Sequence, residues 1–171
     1  MKLASCPTCH AEVPAGNRWC NICHSNVLSP ALGKLASPGK RLGAYFLDFI
    51  LPIIAIMFIF GIGGLGYAAG GERAGGPLLV LLVGGLVIAY VVYAIRLFAN
   101  GTTPGKKLLN MYVVKEDGRR AGFLTMLFRE WIGKWISGFV FGLGYLWILL
   151  DKDRQAWHDK LASTFVVEQG Q

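Results

Sequence analysis

RLGAYFLDFILPIIAIMFIFGIGGLG, residues 41–66, decides the class of this chain. No charged residue interrupts it from Phe49 to Leu65. A membrane-crossing helix needs about 20 mostly apolar residues, and this stretch supplies them. Pro52 lies one turn inside, where a neighbouring segment must cover the carbonyl it frees. The next apolar run, PLLVLLVGGLVIAYVVYAIRLFA at 77–99, is a second span. Pro77 suits the first turn of a helix. The loop between them is short, so the two spans form an antiparallel hairpin.

Composition agrees. The chain is 54% hydrophobic and only 16% charged, whereas a soluble domain carries about 25% charged residues. Its net charge is +7. In a membrane protein that excess implies contact with anionic lipid, and no nucleic-acid partner is expected. Lys34, Lys40 and Arg41 precede the first span; Lys106, Lys107, Lys115, Arg119 and Arg120 follow the second. The connecting loop has only Arg73. Positive residues favour the cytoplasmic side, so both flanks, and with them the amino terminus, are expected there. No apolar leader opens the chain, and the expected location is the inner (cytoplasmic) membrane, multi-pass.

The carboxy-terminal third is less regular. Phe123, Met126, Leu127, Trp131 and Trp135 alternate with Arg129, Glu130 and Lys134. This reads as an amphipathic helix with tryptophans at headgroup level. Residues 136–150 are apolar but span only about 22 Å as a helix, short for a crossing. They either cross, placing the tail outside, or turn back, keeping it inside. Two strand-like runs, Met111–Val114 and Thr164–Val167, can complete each other only on one side. That favours turning back. The fold class is therefore mainly α and integral to the membrane: a helical hairpin plus a short third apolar segment.

All four cysteines lie near the start, in CPTCHAEVPAGNRWCNICH (6–24). CxxCH occurs twice and matches a c-type haem attachment signature; paired CxxC also matches a four-cysteine zinc site. Haem is attached on the far side of the membrane, and the chain has only three histidines. Cys6, Cys9, Cys20 and Cys23, with the VPAG turn between the pairs, instead fit structural Zn²⁺. His10 and His24 become turn residues. Residues 1–26 are read as a zinc ribbon, 27–40 as a Ser/Pro/Gly linker, 41–167 as the membrane domain and 168–171 as a tail.

Asp48 lies about 10 Å deeper along the first helix than Arg41. A carboxylate in a span is costly unless paired, protonated or hydrated, and marks a functional site by default. Arg96 sits at nearly matching depth in the second span. Asp48 is expected to face it, with Tyr45, Tyr90 or Tyr93 as hydroxyl partners. The pair serves either as a structural clamp or in proton or cation handling. Lys106 and Lys107, in GTTPGKK, are expected at lipid phosphates. That segment is not a P-loop, because its glycines are too close together and Lys107 stands where Ser or Thr is needed. Asp151-x-Asp153 fails as a calcium loop. No nucleophile–base pair is visible, so no enzyme is expected.

Three ordered motifs resemble the RDD family of small membrane proteins. Arg41, Ala44 and Asp48 match its opening RxxAxxxD pattern. Gly101-Thr-Thr-Pro-Gly-Lys106 matches the segment after the second helix. Arg154-Gln-Ala-Trp-His-Asp-Lys-Leu-Ala-Ser-Thr164 matches the closing motif, with Ser163 in place of the usual Gly. The family's second aspartate falls on Asp159, with Asp151 as a rival. The cysteine module resembles the short zinc ribbons found before bacterial membrane domains, in which glycine occupies the positions of His10 and His24. The resemblance implies transport of an ion or small solute. Two or three short spans cannot enclose a water-filled path, so transport implies a homo-oligomer. The alternative is a non-transporting scaffold or adaptor whose cytoplasmic ribbon recruits a protein partner.

Overall fold

The computed structural model describes residues 3–70, 76–139 and 142–169. Strands β1 (Leu3–Ser5) and β2 (Glu12–Pro14) pair antiparallel in the cysteine module. Strand β3 (Lys34–Leu35) leads into α1 (Pro38–Gly70). Helix α1 begins with Pro38, whose fixed φ suits a first turn, and the Ser37 hydroxyl accepts from the Lys40 amide. It runs unbroken through Pro52. Helix α2 (Gly76–Ala99) follows. The expected spans are thus present, and two helices are long and apolar enough to cross a membrane. Glu72 and Arg73 lie outside the described residues.

After α2 the chain makes a short helix, α3 (Pro104–Leu108), and strand β4 (Met111–Lys115). Thr103 caps α3 by accepting from the Lys106 amide, with Pro104 in the first turn. The third apolar segment is α4 (Phe123–Leu127), a π-helical stretch (Phe128–Gly133), α5 (Lys134–Phe139) and α6 (Leu143–Leu146). It bends by 107° about its break, as a broken span or a re-entrant loop does. Helix α7 (Trp157–Leu161) and strand β5 (Thr164–Glu168) complete the chain.

Strand β5 is the centre of an antiparallel sheet ordered β3-β5-β4. Tyr112 stands opposite Val167, and Val114 opposite Phe165, so the two expected strand runs do pair. Leu35 stands opposite Val167 on the other edge. The stretch 27–40, read from sequence as a linker, therefore contributes a strand to this sheet. The sheet gathers the start of α1, the segment leaving α2 and the carboxy-terminal strand at one end of the hairpin.

Every residue of β5 is buried, because both faces of the sheet are covered. Met111, Val113 and Val166 point toward Ala44 of α1 and Met126 of α4. Leu35, Val114, Phe165 and Val167 point the other way and close on Trp19 of the cysteine module. The module is therefore seated on the sheet. The rings of Trp19 and Phe165 are 5.4 Å apart, and the Leu35 amide donates to His24 O.

Candidate functional site

In the amino-terminal module the four thiols converge. Cys6 Sγ lies 3.6 Å from Cys23 Sγ, and Cys9 Sγ 3.7 Å from Cys20 Sγ. All four sulfurs lie within 4.8 Å of one another, close enough to hold one metal ion. Tetrahedral thiolates on a zinc-sized ion stand about 3.8 Å apart, so the spacing fits. The His10 amide donates to Cys6 O, and the His24 amide to Cys20 O. Both histidines take left-handed backbone, φ 58° and 57°. Glycine adopts that conformation without strain, which accounts for its place in similar ribbons. His24 is more than a turn residue: its Nε2 meets Arg154 Nη2 at 2.6 Å.

At the far face of the sheet, a buried ionic network joins four parts of the chain. Arg41 Nη1 donates to Asp159 Oδ2 at 2.6 Å. Arg129 donates to Asp159 Oδ1 from Nε and Nη2, both at 2.7 Å. Arg129 Nη1 also donates to Glu130 Oε1 at 2.7 Å, and Lys106 Nζ reaches the same oxygen at 2.9 Å. Lys134, one turn on, pairs with Glu130 Oε2. Asp159 is fully buried and Arg129 is 2% exposed. Burial alone would raise the Asp159 carboxyl, but the Arg129 and Arg41 guanidinium groups outweigh it and hold it well below the usual carboxylate range. Burial pulls Lys106 down from the ordinary lysine value, against the opposing pull of Glu130.

His158 packs beside this network. Its Nε2 is 3.5 Å from Asp159 Oδ1 and its Nδ1 3.3 Å from Ser137 Oγ. Burial, reinforced by the Arg129 charge against the attraction of Asp159, pushes its pKa down to about 3, so the ring is neutral at pH 7. Gly133 permits the close approach, since a Cβ there would stand 2.8 Å from His158 Cβ.

Asp48 has different partners. Its Oδ2 accepts from the Thr103 hydroxyl at 2.5 Å and its Oδ1 from the Gly105 amide at 2.7 Å. Gly105 lies so close to α1 that a Cβ would collide with Ala44 O and stand 2.9 Å from the Asp48 amide. Among the described residues no cation reaches the Asp48 carboxylate. The site is a carboxylate on a membrane helix, held by two uncharged donors from the turn that follows α2. Such a group can exchange a proton or a cation without breaking an ion pair.

Two expectations are corrected. Asp48 does not face Arg96: its acceptor positions are turned toward α3, and Arg96 is exposed. Depth along a helix does not set rotation about it, and α1 turns Asp48 toward Thr103 and Gly105. Lys106, expected at lipid phosphate, turns inward onto Glu130 and is 8% exposed. Lys107 is exposed. Of the two rival aspartates, Asp159 meets Arg41, whereas Asp151 accepts from the Gln155 amide and pairs with Lys160.

Arg129, Glu130, Lys134, Ser137 and His158 escaped sequence reasoning as site residues. One signal was present. Three charges within six positions of an otherwise apolar segment, beside Gly133, are expensive in a membrane unless they pair inward.

Residues 35–163 match the RDD family. A protein of Bacillus subtilis strain 168, described as uncharacterized protein YckC, is 28% identical over 130 residues, covering 74% of this chain and 80% of that protein. No solved structure matches. With the family pattern covering most of its length, including Arg41, Asp48 and Asp159, the chain belongs to the RDD family.

Proposed function

We propose that the chain is a transport-related protein of the inner membrane, moving an ion or small solute as a homo-oligomer. The observation that carries this reading is Asp48, a carboxylate inside a membrane helix bound by Thr103 and Gly105 and, among the described residues, by no cation. A carboxylate at such a position is rare unless it is used. Arg41 and Asp159 anchor the base of the same helix to the sheet. Two helices cannot enclose a water-filled path, so additional copies must complete one. The excess of Lys and Arg flanking the hairpin supports a cytoplasmic amino terminus. The four cysteines then lie in the reducing compartment, suited to a structural Zn²⁺ that supplies folding free energy to a small module.

Proteoliposomes test this reading. Cation or proton flux above that of empty vesicles is expected, and Asp48→Asn abolishes it while the protein stays folded. Flux at the empty-vesicle level, or flux indifferent to Asp48→Asn, refutes it. The ribbon favours a second reading at one point only: Ile22 and Leu28 are each 70% exposed. They offer a small apolar surface for a cytoplasmic partner in an adaptor. Loss of a specific captured partner on Ile22→Ser would support that reading.

A further inference from the structure

The bend of the third apolar segment leaves a groove against α1. Its volume is about 940 Å³, at the upper end of ligand cavities, roughly 300–1,000 Å³. Trp131, Trp135 and Phe139 form an apolar wall, with Tyr45 of α1 and Tyr145 of α6 across it. Trp131, Trp135 and Phe139 are 72%, 77% and 80% exposed, so the wall is not covered by the protein's own chain. At the polar end of the groove stands Lys134, stacked over the Tyr45 ring at 5.2 Å.

Charge decides the occupant. The buried network behind the groove holds four cations, Arg41, Lys106, Arg129 and Lys134, against two carboxylates, Glu130 and Asp159. His158 is neutral and adds nothing. Counting Asp48, which sits on the α3 side, still leaves one positive charge uncompensated. Glu130 is shared by Lys106, Arg129 and Lys134. Lys134 is the most exposed of these three, at 24%. A low-dielectric site with surplus positive charge attracts an anion, and an apolar wall beside it selects one with a hydrocarbon chain.

We infer that this groove binds one anionic phospholipid, its phosphate on Lys134 and an acyl chain along Trp131, Trp135 and Phe139. This moves the lipid-phosphate contact from Lys106, which is buried against Glu130, to Lys134, which shares Glu130 but is more exposed and lines the groove. The lipid then supplies the missing negative charge, and the ionic network is complete only in a membrane that contains acidic lipid. The site does not depend on transport, and its test reads no flux.

Native mass spectrometry of the full-length protein in neutral detergent, titrated with phosphatidylglycerol or phosphatidylcholine of the same chains, measures it. One phosphatidylglycerol should be retained in preference by roughly fivefold, the effect of one lysine at an anionic surface. Lys134→Gln should erase the preference, and Lys134→Arg should keep it. Trp135→Ala should weaken both lipids, and Lys107→Gln neither. Inorganic phosphate should not displace the lipid. Equal retention of the two lipids by the unaltered protein, or a preference that survives Lys134→Gln, overturns the site. Displacement by inorganic phosphate also overturns it, by showing a plain anion site. If Lys134→Gln fails to fold, brominated-chain lipids decide in the unaltered protein. Tryptophan quenching must then be stronger with phosphatidylglycerol, and equal quenching refutes the site.

Discussion

The guanidinium of Arg41 and the carboxylate of Asp159, 118 residues apart in the chain, meet at 2.6 Å. The contact ties the first turns of the first membrane helix to the last helix before β5. Arg41 Nη2 also reaches Val166 O at 3.3 Å, and Asp159 Oδ2 accepts from the Ala156 amide at 3.3 Å. One carboxylate therefore holds two arginines and caps α7.

Removing that carboxylate leaves Arg41 without a carboxylate partner and Arg129, 2% exposed, with only its share of Glu130. Breaking a buried pair at one partner costs about 3–5 kcal/mol. Asp159→Asn should lower thermal stability in detergent by that order, and Arg41→Gln by less, since Arg41 is 11% exposed against 2% for Arg129. The double variant should cost less than the sum, because the second change removes a charge already orphaned. Strict additivity would show that the two residues are not coupled.

Acid should unfold the protein in two stages. His158 is held neutral, with a pKa of about 3 in the folded chain against 6.5 when unfolded. The unfolded state therefore binds a proton first, and stability falls as pH drops below 6.5, by up to about 1.4 kcal/mol per pH unit. Asp159 has a depressed pKa, so its contribution is present above the ordinary carboxylate value and lost below it. Both effects have the same sign. His158→Gln should flatten the stability profile between pH 6.5 and 4 and leave the steeper acid limb. An unchanged profile between those values would place His158 in contact with water.

The two spans, the strand pair and the cysteine cluster were legible because each rests on a local pattern: apolar length, alternation, spacing. The ionic network was not. Arg129, Glu130 and Lys134 fit the polar face of an interfacial helix equally well. What buries them is the fold-back of the segment, in which Gly133 allows contact with His158 of α7 and Gly144 of α6 allows contact with Ser137 of α5. The Asp48–Arg96 expectation failed for a related reason. Sequence fixes the depth of a residue along a helix, but its direction depends on packing. The strand at Lys34–Leu35 is two residues long and is held by a partner more than 130 residues away, so no local signal announces it.

The partners of Asp48 can be separated by double-variant cycles. Asp48→Asn and Thr103→Val share a hydrogen bond and should couple by about 0.5–3 kcal/mol. Asp48→Asn and Arg96→Gln share none and should add. Thermal midpoints of the three single and two paired variants read both cycles, and coupling confined to the Arg96 pair would reverse the assignment.

Ser163 stands where the closing motif usually has Gly, and its φ is 47°. A side chain in left-handed backbone costs about 1–2 kcal/mol, which glycine avoids. Glycine also loses more entropy on folding, about 0.5–1 kcal/mol. Ser163→Gly should therefore stabilise modestly, by about 0.5–1 kcal/mol, with a small rise in melting temperature. A fall in melting temperature would mean that the Ser163 side chain makes a compensating contact.

Trp19 seats the cysteine module on the sheet. Trp19 is 3% exposed and lies between the module and Phe165, Leu35 and Val114. It directly precedes Cys20, in a module whose two turns, Cys6–His10 and Cys20–His24, carry the four cysteines. If one Zn²⁺ holds them, elemental analysis should give one zinc per chain, and a strong chelator should release it. The module then loses its fold, and Trp19 enters water. The emission of the whole protein should shift to the red, and the shift should vanish in Trp19→Phe, because the other four tryptophans lie outside the module. Since Leu35 is bonded to His24 O and paired with Val167, release should also loosen the β3 edge of the sheet. Faster amide exchange at Leu35 and Val167 would report it. Zinc release with no change in Trp19 emission would show that the module keeps its fold through packing on the sheet rather than through the metal.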